Sequence, residues 1–125
     1  MNRGFSGYTS ADLQLMLPNL LDHDNTNNSI KIATILLGSN DSVSPSLDKR
    51  HIPIAQYEDC MEKIVQELER RGIQYVILIT PPPVDIKHWT DYSFETRGWF
   101  SNFFVYSDSF SILKSLCVFS FKVNQ

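Results

Sequence analysis

Only two cysteines, Cys60 and Cys117, occur in the 125 residues, too few for a disulfide framework and without the CxxC or Cys/His spacing that holds zinc. A reducing, cytoplasmic compartment is expected. No basic cluster is longer than Lys49-Arg50 or Arg70-Arg71, and 11 Lys plus Arg against 14 Asp plus Glu leave a net charge of -3. Nothing there grips a phosphate backbone, so nucleic acid is not expected as a partner. The start, Met-Asn-Arg-Gly-Phe-Ser-Gly-Tyr, lacks the apolar run of a signal peptide, so the glycosylation patterns beginning at Asn27 and Asn40 are expected to be moot. Long apolar runs are missing as well. The stretch from Phe103 to Val123 carries Asp108, Lys114 and several serines, and no membrane span is expected. No phosphate-cradling glycine loop is present, so neither cofactor nor metal is expected. What is present is a chain 42% hydrophobic, enough for one modest folded domain and too much for a disordered one.

Along the chain, Leu13, Met16, Leu17, Leu20 and Leu21 recur at helical spacing after Thr9 or Ser10, either of which can cap the first turn. Pro18 removes one donor inside this helix, so a kink or break is expected near Leu17, followed by a polar loop over 22–29. Residues 30–37, Ile-Lys-Ile-Ala-Thr-Ile-Leu-Leu, are rich in β-branched side chains and end at Gly38, which predicts a buried strand. About sixteen residues rich in Gly, Ser, Asp and Pro follow, a loop of functional length. After Pro53, Ile54, Tyr57, Met61, Ile64, Val65 and Leu68 fall on one helical face, and Gly72 offers the left-handed residue that closes such a helix. Residues 74–80 predict a second apolar strand, which Pro81-Pro82-Pro83 ends. Strand, helix, strand, with both strands apolar on two faces, implies a parallel pair and an α/β fold. From Trp89 onward the character changes, for 11 of the 15 aromatic residues lie there without helical or alternating period. The chain is therefore divided into 1–88 and an aromatic-rich, divergent 89–125.

Two polar clusters sit where an α/β sheet gathers its reactive groups, at the carboxyl ends of strands. Gly38-Ser39-Asn40-Asp41-Ser42 follows the first strand, and Asn2-Arg3-Gly4-Phe5-Ser6-Gly7-Tyr8 precedes the first helix. Each is also ordinary turn chemistry. Together they offer backbone and amide donors fit for an oxyanion hole, which stabilises charge developing on a carbonyl oxygen.

Taken in order, Arg-Gly-Phe-Ser-Gly-Tyr, Leu-Leu-Gly-Ser-Asn-Asp-Ser, Ile-Pro-Ile-Ala-Gln-Tyr and Val-Ile-Leu-Ile-Thr-Pro-Pro-Pro-Val-Asp resemble the GDSL or SGNH hydrolases, nearest to their isoamyl acetate-hydrolysing esterase branch, from Asn2 to about Trp89. The resemblance implies a flavodoxin-like parallel sheet with flanking helices. It also implies hydrolysis of small acyl esters by a serine nucleophile, with Gly7 and Asn40 as oxyanion donors. That nucleophile belongs to a Gly-Asp-Ser motif on a first strand ahead of Asn2, so the strand and its serine are expected to be missing. The family's late Asp-x-x-His is expected to be missing too. Asp85-Ile86-Lys87-His88 has that spacing but directly follows the proline run, and is taken as coincidence. Ser6, Ser39 and Ser42 have no base placed by spacing, and His23 and His51 are expected to be solvated in polar loops. The chain alone is expected to be inactive. Without its central neighbour, the 30–37 strand is expected to expose an open edge that invites self-association, aggregation or pairing with an intact esterase subunit. A non-catalytic binding or regulatory protein is the alternative reading.

Overall fold

The computed structural model describes residues 2–25, 29–45 and 48–81, together with the backbone of 120–122. Asp85, His88, Asn27 and Asn28 of the first glycosylation pattern, and the aromatic stretch from Trp89 to Phe119 lie outside the described residues.

Thr9 starts α1 (Ser10–Asp24) with a reciprocal capping box, in which the Asp12 N–H donates to the Thr9 hydroxyl oxygen and the Thr9 N–H donates to the Asp12 carboxyl. The helix runs unbroken through Pro18 and extends three residues into the expected loop. The break does not occur because the proline ring removes only the one rung reaching back to the Gln14 carbonyl. Burial of Leu17 and Leu21 against the rest of the core outweighs that loss. His23 lies in the last turn of this helix rather than in a loop, and it is exposed beside Asp24.

The first strand, β1 (Ile32–Leu36), and the second, β2 (Tyr75–Ile79), are joined by α2 (Ile54–Arg70) and pair in parallel, with Ile32 opposite Tyr75 and Leu36 opposite Ile79. α2 ends as its sequence predicts: Gly72 has a φ of 76°, and the Ile73 N–H donates back to the Leu68 carbonyl. A short strand not anticipated from the sequence, β3 (Ser120–Lys122), pairs antiparallel with the other side of β2, giving the order β1-β2-β3. Among the described residues β1 is therefore an edge strand.

The sheet's two faces differ. Ala33, Ile35, Val76 and Leu78 pack beneath α1 and α2, where Leu17, Leu21, Tyr57, Met61, Ile64 and Leu68 complete the core. On the opposite face Ile32, Leu36, Tyr75 and Ile79 are exposed. Polar links tie the helix ends together: buried Asn25 donates to the Arg71 carbonyl and accepts from the Ile30 N–H, and the Arg71 guanidinium pairs with Asp22. Among the described residues no helix is long and apolar enough to cross a membrane.

Candidate functional site at the carboxyl end of the first strand

Gly38 turns the chain sharply as it leaves β1. Its φ is 113°, and a Cβ there would lie 3.3 Å from the Pro81 ring and 3.4 Å from the Tyr57 hydroxyl. Only glycine combines that backbone with that closeness, so the tails of β1 and β2 meet at this point. The turn is closed by the Ser42 N–H donating to the Gly38 carbonyl at 2.9 Å.

The turn directs two neighbouring side chains to different tasks. Asp41 points inward, 3% exposed, and one carboxyl oxygen accepts from both the N–H and the hydroxyl of Ser10, thereby holding the first turn of α1. Its other oxygen is buried without a partner among the described residues. Asn40 points outward to the loop that precedes α1, and its amide nitrogen donates to the Tyr8 carbonyl at 2.7 Å. Gly7, with a φ of 83°, precedes that carbonyl, and no hydrogen bond to its N–H occurs among the described residues. The structure thus brings Gly7 and Asn40 together at the carboxyl end of β1, although 33 positions separate them in the sequence.

A guanidinium stands beside both. Arg50 donates through Nη1 to the Asn40 amide oxygen at 3.2 Å, and the same nitrogen is 3.9 Å from where a Gly7 Cβ would sit. Asp48 holds the rest of the Arg50 side chain and also accepts from its backbone N–H. These bonds lower the Asp48 carboxyl's pKa and raise that of Arg50. Neither residue has a sequence signal, since Asp48-Lys49-Arg50 looks like a solvated charge run.

Among the described residues, Ser6, Ser39 and Ser42 are not joined to a base. Ser42 donates its hydroxyl to the Ser39 carbonyl, and Ser6 and Ser39 are exposed. His51 is not solvated as expected. It is half-buried, with Nδ1 donating to the Val43 carbonyl at 2.7 Å, because the loop after β1 folds back over it. Tyr57, beneath Gly38, donates to the Leu37 carbonyl at 3.4 Å, and its hydroxyl is pushed up to about 12 by burial and then by the negative charge of Asp41. A tyrosine in the unfolded chain ionises near 10, so the stabilisation from keeping Tyr57 neutral is complete below that pH. It is expected to be lost as pH rises from about 10 toward 12. Following tyrosinate absorbance, the Asp41→Asn chain should ionise Tyr57 at lower pH than the parent. An unchanged titration would mean the carboxyl does not act on this hydroxyl.

A parallel strand-helix-strand unit with Gly7 and Asn40 brought together over the end of its first strand is an α/β fold, consistent with part of an SGNH-hydrolase sheet. No protein-family model matches the chain. Among curated proteins it is 36% identical over 94 residues to the human isoamyl acetate-hydrolyzing esterase 1 homolog, covering 73% of this chain and 38% of the human protein. It is 33% identical over 118 residues to the isoamyl acetate-hydrolyzing esterase of Saccharomyces cerevisiae, covering 90% of this chain and 47% of the yeast protein, so that match reaches past Trp89. A GDSL esterase/lipase of Arabidopsis thaliana is 31% identical over 86 residues, covering 66% of this chain and 35% of the plant protein. The chain belongs to the GDSL/SGNH hydrolase family, and it spans less than half the length of these relatives.

Proposed function

We propose that this chain is part of a carboxylic ester hydrolase of SGNH type, acting on small acyl esters by a serine-centred acyl-enzyme route, and that it supplies the oxyanion donors Gly7 and Asn40. The observation that supports this reading is the Asn40 amide bonded across to the loop of Gly7, whose own N–H has no partner among the described residues. Two preorganised donors over a strand end suit an oxygen that gains charge during acyl transfer. The relatives' names, isoamyl acetate-hydrolyzing esterase and GDSL esterase/lipase, point the same way. Alone, the chain is expected to show a trace of hydrolysis at most, because oxyanion donors without an activated nucleophile leave only a small residual rate. A reducing, cytoplasmic setting suits the buried free thiol of Cys60.

A carboxylate product carries its charge where the oxyanion would lie, so acetate is the probe. Titrating acetate into the folded chain is expected to shift the NMR signals of the Gly7 N–H and the Asn40 side-chain amide saturably, and Asn40→Ala should abolish the effect. A parent chain that shows no saturable shift removes the reading. Incubation with a fluorophosphonate should add no mass at Ser6, Ser39 or Ser42, whereas a stoichiometric adduct on any of them would overturn the inactivity.

A second reading is favoured by the edge position of β1 among the described residues and by the exposed Ile32 and Leu36. In it, the chain is a non-catalytic binding or regulatory protein that pairs through this edge with an intact esterase subunit or with its own copy. Sedimentation and thermal unfolding separate the two: a binding or regulatory protein is expected to be a folded monomer or a defined hetero-oligomer, whereas an incomplete product is expected to aggregate or to melt broadly.

A further inference from the structure

The Asn40 amide has two ends, and Arg50 takes one of them. The oxygen accepts Nη1 of Arg50 at 3.2 Å, and the nitrogen gives one hydrogen to the Tyr8 carbonyl at 2.7 Å. A planar amide bonded at both ends cannot flip without setting donor against donor and oxygen against oxygen. Its second N–H hydrogen is consequently left with one direction. Arg50 is itself restrained: Asp48 accepts from its Nε, its Nη2 and its backbone N–H, which leaves Nη1 as the nitrogen presented to Asn40. That brace removes most of the side-chain freedom that makes surface arginines weak partners.

We propose that Arg50 is a positioning residue of the oxyanion site, setting the plane of the Asn40 amide and polarising it toward a bound carboxyl oxygen. This rests on the role proposed above for Asn40. A cation at the amide oxygen draws electron density from the nitrogen and strengthens the remaining N–H as a donor. Because Asp48 neutralises the guanidinium, the effect travels through the amide rather than through a bare positive charge facing the ligand.

The test uses the full chain and sodium acetate, with Arg50→Met and Arg50→Lys as variants and Asn40→Ala as the reference. Arg50→Met is expected to weaken acetate about tenfold, the loss of one charge-assisted hydrogen bond. It should also shift the Asn40 side-chain amide resonances before any acetate is added, while signals from the α2 core stay in place. Arg50→Lys keeps the charge but loses the fork, and should move the same resonances and weaken acetate less. Should Arg50→Met fail to fold, the Lys variant alone decides through the amide signature. Unmoved Asn40 resonances overturn the proposal even if acetate binding weakens, because the arginine then acts by its charge alone. Acetate binding that survives Arg50→Met but not Asn40→Ala also overturns it and leaves the oxyanion reading standing. Binding that survives Asn40→Ala overturns that reading itself.

Discussion

Replacing Asp41 by alanine is expected to destabilise the fold by about 3 kcal/mol, because the change strands the Ser10 N–H and hydroxyl in a buried site at a cost of about 1–3 kcal/mol each. Ser10 is wholly buried and Asp41 nearly so, so water cannot step in as a replacement acceptor. The loss also detaches the first turn of α1 from the turn after β1, elements 31 positions apart. Asp41→Asn is the informative companion. Its amide oxygen can still accept from Ser10, and it sheds the charge whose second oxygen is buried without a partner among the described residues. It should therefore keep most of the stability that alanine loses. Urea unfolding of the three chains checks this, and an alanine variant within about 0.5 kcal/mol of the parent would mean that the Ser10 contacts contribute nothing net.

Ile64→Ala is expected to cost about 3 kcal/mol as well, for a different reason. Ile64 is 1% exposed on the inner face of α2, within the cluster that includes Ile35, Ile73 and Val76. Truncation removes apolar contacts and leaves a cavity that two helices and a sheet cannot close, whereas Ile64→Val should cost only about 1 kcal/mol. Leu15 supplies the control: it is 77% exposed on α1, and alanine there should change stability by less than about 0.5 kcal/mol. Equal losses at positions 64 and 15 would contradict the burial pattern.

The central unit was legible because its signals are local. Residues 30–37 and 74–80 are rich in β-branched side chains, and α2 keeps its apolar residues on one helical face, so type, order and parallel pairing follow from pattern alone. Gly72 at the end of α2 is equally local. β3 left no trace in the pattern, because three residues in an aromatic stretch without period carry no alternation to read. Pro18 misled for the opposite reason: a strong local breaker was outweighed by tertiary burial of its neighbours. At the site, the loops of Gly7 and Asn40 were recognisable by composition. The partners that orient them were not. Asp41 meeting Ser10 joins the turn after β1 to the first turn of α1, and Arg50 meeting Asn40 and His51 meeting Val43 depend on how the loop after β1 folds back on itself, which composition does not encode.

The register of Ile32 against Tyr75 also sets an order of events during synthesis. At ribosomal rates of about 5–20 residues per second, roughly forty residues separate the two, so β1 emerges about 2–8 s before its ladder partner. Hairpins and helices form in microseconds, so this interval is long on the scale of local folding. Until Arg70 has emerged α1 lacks the complete face of α2, and until Val76 follows it lacks the strand beneath both helices. Slowing translation over residues 37–74 would lengthen that wait without changing the ladder that β1 and β2 finally form.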